Sequence, residues 1–397
     1  MSILSIVLGL VISAPTSEFV ESKLQTPSGL LERIVYEEDE RDFAVRLTKD
    51  DGDILWLEER SKQKFLGKIV REKISLFSDV GFESVILKTE KAQHLLGLAP
   101  KEYHSHCSAT ANVFIPTPLS EKSAFDLENL ECNRANEPAP SFEWLKVLGR
   151  DNRSWLQCEI RADRCEWNSN YPEQIEAAAE ISSLVFLTQA QQKLNENKLN
   201  AFLPKLTVKS LFGFGNQSTY NPESQTLFYG SGKFPDALDG FVVVHEWAHA
   251  LINQLNPSLY GYQASVLHEA LADFYAAQLF DSACFAPFDA QEDSNLKCMR
   301  DLQTEIHFPN DFDWADSHKD SLAVSGALWE AKKYISSEIL TEMILESLIR
   351  SPKRPDLADF WKKLEGVYAR IVIERNITET KSEDLHQIGK RWGFVKG

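Results

Sequence analysis

The residues of this chain best suited to chemistry stand together in Val242-Val243-Val244-His245-Glu246-Trp247-Ala248-His249-Ala250-Leu251. Apart from the two histidines and the glutamate the run is apolar, with no Gly or Pro to break a helix. On a helix, positions four apart share a face, so His245 and His249 point at one spot. Two imidazoles so placed grip one zinc ion, and Glu246, about 100° round the helix, reaches a water beside it. A five-residue match of this kind also arises by chance, so its meaning rests on what surrounds it.

Downstream stands His268-Glu269-Ala270-Leu271-Ala272-Asp273. A catalytic zinc takes three protein ligands and leaves one position open, and two His with one Glu is such a set. Glu269 lies 24 residues after His245, room for a helix end, a turn after Pro257 and an antiparallel return. Asp273 sits one turn beyond Glu269 on the same face. A ligating imidazole donates its other N–H to a carboxylate or carbonyl, and Asp273 is the natural acceptor. The flanks Leu267, Ala270, Leu271, Ala272 and Phe274 are apolar, so these carboxylates are expected to be buried and to need partners.

From Gln217 to Trp329 the sequence resembles the thermolysin-type metallopeptidases, broadly the gluzincins. In that family zinc is held by His-Glu-x-x-His and a downstream Glu. His245 and His249 match the two His ligands, Glu246 the catalytic Glu, and Glu269-x-x-x-Asp273 the third ligand with its supporting Asp. Nineteen residues separate His249 from Glu269, as in the thermolysin type, and the Gly-x-Met-Glu-Asn motif of the gluzincin aminopeptidases is absent. The resemblance implies that Tyr260 helps stabilise an oxyanion. Asp316-Ser317-His318-Lys319-Asp320-Ser321, followed by Gly326-Ala327-Leu328-Trp329, is similar to the family's histidine motif, with His318 as its transition-state-stabilising residue. Arg300, in Met299-Arg300-Asp301-Leu302, matches an arginine that binds a substrate carbonyl. Gln217-Ser218-Thr219-Tyr220-Asn221 stands where the family has an Asn-Ala-aromatic-aromatic substrate edge, with Gln217 for Asn and Ser218 for Ala. His268 replaces an Asn before the ligand Glu. The implied activity is zinc-dependent endopeptidase action, with Glu246 as general base.

These residues need elements to hold them, and the pattern predicts an α+β chain. The expected catalytic domain is zincin-like: a mixed sheet with an edge strand, active-site helices and a mostly helical C-terminal lobe. It covers 150–397 and follows a β-rich N-terminal domain, 16–149, that is a prodomain or an accessory unit. Arg33–Tyr36, Asp42–Leu47, Ile54–Leu57 and Phe82–Lys88 carry strand patterning, with Asp51-Gly52 as a turn. Asn136 to Ser141, with Pro138 and Pro140, reads as a linker, and Trp155 to Trp167 as a hairpin closed by Cys158 and Cys165. Glu173 to Leu194 has helical spacing of Ile175, Ala178, Ala179, Ile181, Leu184 and Val185. Strands are expected at Leu206–Leu211 and Thr226–Gly230, the latter as an edge strand lining the cleft, able to bind a peptide by strand addition. The central helix runs from about Gly240 to Leu255, stopped by Asn256-Pro257. Further helices are expected at Ala264–Leu279, Ser321–Ser336, Ser337–Ile349 and Leu357–Ile373.

The balance of 42 basic against 59 acidic residues, 42 − 59 = −17, argues against a nucleic-acid or anionic-membrane surface. Ile3 to Ala14 is an apolar run of twelve, too short to span a bilayer and of signal-peptide length, so residues 1–15 are read as a signal peptide and the protein as exported (periplasmic, cell envelope or secreted). Six cysteines would then pair, and neighbour pairing gives Cys107–Cys132, Cys158–Cys165 and Cys284–Cys298; six buried thiols is the other reading. His104-Ser105-His106 lacks an acidic partner and is given no role. The acidic clusters Glu37–Glu40 and Asp311–Asp316 read as solvated loops, and bound calcium stays open. Two rival functions remain: a catalytically idle or regulatory zincin-fold binding module, and a zinc hydrolase of a non-peptide bond. The expected partner is a protein or peptide substrate.

Overall fold

The computed structural model describes residues 18–36, 43–49, 54–60, 63–70, 73–78, 81–86, 106–131, 141–142, 144–150, 154, 156 and 164–396, less 200, 202, 204, 214, 294–295 and 378–381. The apolar run Ile3–Ala14, the cluster Glu37–Glu40, most of the expected linker and most of the Trp155–Trp167 hairpin lie outside the described residues, as does the pairing of Cys107, Cys132, Cys158 and Cys165.

The first sheet is a seven-stranded antiparallel meander in chain order: β1 (Glu18–Thr26), β2 (Gly29–Tyr36), β3 (Phe43–Thr48), β4 (Ile54–Arg60), β5 (Gln63–Val70), β6 (Lys73–Ser78) and β7 (Gly81–Ile86). Its first turn depends on Gly29. The residue has φ +133°, and a Cβ there would stand 2.2 Å from the Thr48 carbonyl oxygen of β3. Leu24, Leu31, Val45 and Leu47 join one continuous core with the C-terminal residues. The first strands also dock through polar groups. The Ser22 hydroxyl donates to the Leu255 carbonyl at 2.6 Å. Arg33 is 1% exposed, pairs with Glu21 at 2.5 Å, and donates through Nη1 to the carbonyls of Ile349 and Ser351 at 2.8 and 2.9 Å.

The second sheet has eight strands: β8 (His106–Phe114), β9 (Lys122–Glu131), β10 (Ser141–Phe142), β11 (Leu145–Leu148), β12 (Arg164–Asn168), β13 (Leu206–Phe212), β14 (Thr219–Asn221) and β15 (Thr226–Gly230). Their order is β12-β8-β9-β10-β11-β13-β15-β14. The sheet is mixed: β12–β8, β11–β13 and β13–β15 are parallel, and β14 runs antiparallel to β15. The position expected for a domain boundary, near residue 150, falls within this sheet, between β11 and β12. Alternate residues Ala109, Ala111 and Val113, Leu145 and Val147, and Leu206 and Val208 are buried on one face, as the two-residue period of a strand requires. Helix α1 (Ile175–Glu196) contacts this sheet and is buried on nearly every side, including Glu180, Ser182 and Ser183.

Helix α2 (Gly240–Leu255) starts where the Asp239 side chain accepts from the Phe241 N–H and ends at Asn256, ahead of Pro257. Three successive valines are poor helix formers, but Val243 and Val244 are fully buried, and packing overrides propensity. Helix α3 (Tyr262–Phe280) packs along it. A two-stranded ribbon follows, β16 (Cys284–Phe285) with β17 (Arg300–Asp301). The helical lobe comprises α4 (Ser317–Asp320), α5 (Leu322–Ala331), α6 (Ser337–Ile349), α7 (Leu357–Glu374) and α8 (Ser382–Arg391). The helix expected as one piece from Ser321 to Ser336 ends at Ala331, and Ser336 instead caps α6, its side chain accepting from Ile339 N–H. The chain is thus α+β, a β-rich N-terminal part and a mixed sheet followed by a mostly helical C-terminal lobe. Among the described residues, no helix is long and apolar enough to cross a membrane.

Arg33→Ala removes the cation that Glu21 and two helix-end carbonyls depend on. The expected loss is about 3–5 kcal/mol, as for breaking a buried pair from one side. A urea titration that gives the variant the parent's midpoint would refute this.

Candidate metal centre and its cleft

Helix α2 turns His245 and His249 toward α3, which brings up Glu269, while Glu246 meets β14 at Tyr220. The His245 and His249 Nε2 atoms are 3.0 Å apart. His245 Nε2 is 3.3 Å from Glu269 Oε2, and His249 Nε2 is 3.6 Å from Glu269 Oε1. Four-coordinate zinc with bonds of about 2.0–2.1 Å sets its ligand atoms about 3.3 Å apart, so this spacing suits such an ion. Glu269 Oε2 is also buried and makes no hydrogen bond of good geometry, with His245 Nε2 and His318 Nε2 each 3.3 Å away, and a cation there would satisfy it. Among the described residues, this is the one group of three or more His, Cys, Asp or Glu close enough to hold a metal.

His245 is fixed from behind. Its Nδ1 lies 2.9 Å from Asp273 Oδ1, and Asp273 is wholly buried. An N–H donated there leaves the Nε2 lone pair facing Glu269. Asp273 accepts two bonds of 2.6 Å from Arg300, through Nε and Nη2. Burial opposes the charge on Asp273, but the Arg300 guanidinium and His245 hold its carboxyl below the usual range. Arg300 in turn lies over the Phe285 ring, 4.4 Å from its centre. Glu246 is 6% exposed and accepts from the Tyr220 backbone N–H. Burial pushes its carboxyl up to about 7, with His245 pulling it down and Glu269 adding to the rise.

In front of the three donors is a cavity of about 560 Å³. Its walls are β14 with Ser218 and Tyr220, α2 with Glu246 and Asn253, the stretch from Leu259 to His268, and His318. His318 sits in the four-residue helix α4, whose Asp316 cap accepts from the His318 and Lys319 N–H groups. It is 58% exposed, with Nε2 3.3 Å from Glu269 Oε2. Tyr260 is 47% exposed at the rim, its backbone N–H donating to the Lys353 carbonyl. The structure therefore gathers His245, Glu246, His249, Tyr260, Glu269, His318 and Ser218 round one space. Arg300 and Gln217 are not among its lining residues: Arg300 is behind His245 on Asp273, and Gln217 is exposed beyond Ser218.

One expectation is corrected. Thr226–Gly230 is not the edge of the sheet. It lies between β13 and β14, and the edge on the cavity is the three-residue strand Thr219–Asn221. The residues that seat this edge were not singled out from the sequence. Asp236 Oδ2 accepts from the Ser218 hydroxyl at 2.6 Å and from Gly230 N–H at 3.2 Å. Gly230 has no room for a side chain, since a Cβ would stand 2.3 Å from the Gly215 carbonyl and 2.6 Å from Gln217 N. Tyr262 donates to Asp320 at 2.7 Å, tying α3 to the helix that carries His318. An aspartate after a proline, or a tyrosine at a helix start, has no local mark of such a duty.

Burial pushes Asp236 up to about 8, relieved by Ser218 and worsened by the charge of Asp289. In the unfolded chain this carboxyl would titrate near 4. Folding therefore takes up a proton between about pH 4 and pH 8, and stability falls as pH rises through that window. Asp236→Asn should remove this part of the pH dependence, melting higher than the parent at pH 8 and close to it at pH 4 by circular dichroism. Parallel melting curves for the two proteins across the window would refute the assignment.

No family model matches the sequence, and no curated protein matches it. Among solved structures the chain is similar to the precursor of protealysin, a metalloproteinase from Serratia proteamaculans, at 13% sequence identity and a TM-score of 0.45, over 76% of this chain and 92% of that one.

Proposed function

We propose that this chain is a zinc-dependent endopeptidase of the thermolysin-like, gluzincin kind. One observation carries the reading: His245 Nε2 stands 3.0 Å from His249 Nε2, the Glu269 carboxylate comes within 3.3 and 3.6 Å of the two, and this group fronts the cavity that Glu246 and His318 also line. His245, His249 and Glu269 would hold the zinc ion, which when bound would supply Lewis acidity toward a carbonyl and a water. The remaining work belongs to the chain. Glu246, with its carboxyl raised to about 7, takes the proton of the attacking water and passes it to the leaving amine. Tyr260 and His318 donate hydrogen bonds to the oxyanion as it develops. Asp273 holds the His245 imidazole, and Arg300 holds Asp273. The outer side of β14 receives an extended peptide as an added strand, main chain to main chain, with Ser218 beside it and Gln217 just before.

The second sheet runs from β8 to the substrate edge, and a removable unit made of the meander alone, upstream of β8, would leave that sheet whole. Export is supported by the disulfide Cys284–Cys298, which suits an oxidising compartment.

Glu246→Gln should keep stoichiometric zinc and lose at least about 10²-fold in chelator-sensitive cleavage of a peptide library. His318→Ala should lose about 10²–10³-fold in kcat. His245→Ala should lose the metal itself by elemental analysis. A parent that holds zinc yet cleaves no peptide would favour a binding module or a hydrolase of another bond.

A further inference from the structure

The described residues between Cys284 and Asp301, 284–293 and 296–301, include a ribbon and contacts against the ligand helix. In the ribbon Phe285 pairs with Arg300 and Cys284 with Asp301, and the disulfide Cys284–Cys298 ties the segment across a separation of 14 residues. This segment reaches His245 by three routes. The Phe285 ring, 3% exposed, lies against the His245 imidazole with centroids 5.3 Å apart. The same ring carries the Arg300 guanidinium on its face, and Arg300 fixes the Asp273 carboxylate that holds His245 Nδ1. The backbone N–H groups of Phe288 and Asp289 donate to Asp239, the cap of α2, at 3.0 and 3.3 Å. One short segment thus sets the ring plane, the tautomer and the helix start of one ligand. Two strands of two residues each hold little by themselves. The disulfide closes the segment directly beside the Phe285–Arg300 pair.

We propose that Phe285 is a positioning residue for His245 and that the Cys284–Cys298 disulfide is the tie that keeps it in place, so that the chain retains zinc tightly only with this disulfide formed. The inference rests on the metal reading of His245, His249 and Glu269, and not on peptide cleavage. Both cysteines are partly exposed, within reach of a reductant in solution. With a water-soluble phosphine, phosphorus is oxidised to the phosphine oxide and takes its oxygen from water. The S–S bond breaks, and the two sulfurs take up the electron pair and the two protons as thiols.

The test is zinc affinity, read by competition with a chromophoric chelator on the full chain. The oxidised parent is compared with the phosphine-treated parent, with C284S/C298S and with Phe285→Leu. Loss of outer contacts to a ligand weakens metal binding about 10–100-fold, and that weakening is expected in all three. Cobalt-loaded samples should show an altered visible absorption, a change that a merely structural role for the disulfide would not produce, while far-ultraviolet circular dichroism checks that the fold persists. If the double variant does not fold, reduction of the folded parent answers the question. Parent affinity in both the reduced protein and C284S/C298S overturns the disulfide's part. Parent affinity in Phe285→Leu overturns the positioning role. An oxidised parent that takes up no zinc overturns the metal reading and the clamp with it.

Discussion

The contact between His245 Nδ1 and Asp273 is the interaction on which the centre of the molecule depends. His245, Glu246 and Asp273 are buried in helices that are otherwise apolar, at 5%, 6% and 0% exposure. Polar groups there destabilise the fold unless each has a partner. The partners form a line: Phe285 under Arg300, Arg300 on Asp273, Asp273 on His245. Each member answers the need of the one before it, and the line ends where the Nε2 lone pair faces Glu269. The site is therefore not an addition to the core. It is the point at which the core's buried charges are resolved.

The sheet side of the cleft is held by a different device. β14 has three residues, too few to hold a position through its ladder alone. Asp236 secures the chain before it through Ser218, and Gly230 lets residues 215–217 close in over the end of β15. Tyr229, fully buried in β15, donates to the Val243 carbonyl and so fixes the sheet's distance from α2. Tyr220 closes the loop between the walls, since its N–H meets Glu246.

Much of this was legible because local signals and tertiary needs agreed. Asn256-Pro257 marked the end of α2, and helical spacing of small and apolar residues marked α1. The ligand set could be read because a helix imposes its own geometry on residues four apart. What could not be read depended on residues distant in the chain. The resemblance put a substrate edge at Gln217–Asn221, but that Thr226–Gly230 is an inner strand is decided by strand order, which no short pattern encodes. Helix α8 packs through Leu385, Ile388 and Trp392, too thin an apolar stripe to stand out among its charges. Phe285 looks like any core aromatic until His245, forty positions earlier, is found against it. The neighbour pairing of Cys284 with Cys298 was one of two readings, and the structure forms it.

The Ser351 carbonyl, just past the end of α6, accepts two hydrogen bonds of 2.9 Å, from Arg33 of the meander and from the Asn256 amide at the end of α2. A carbonyl oxygen has two lone pairs, and here both are taken. The same junction includes the Ile349 carbonyl, held by Arg33, and the Leu255 carbonyl, held by Ser22. The N-terminal strands therefore act as a buttress at the rear of the ligand helix. They meet α2 at its last turn, and among the described residues none of these strands lines the cleft.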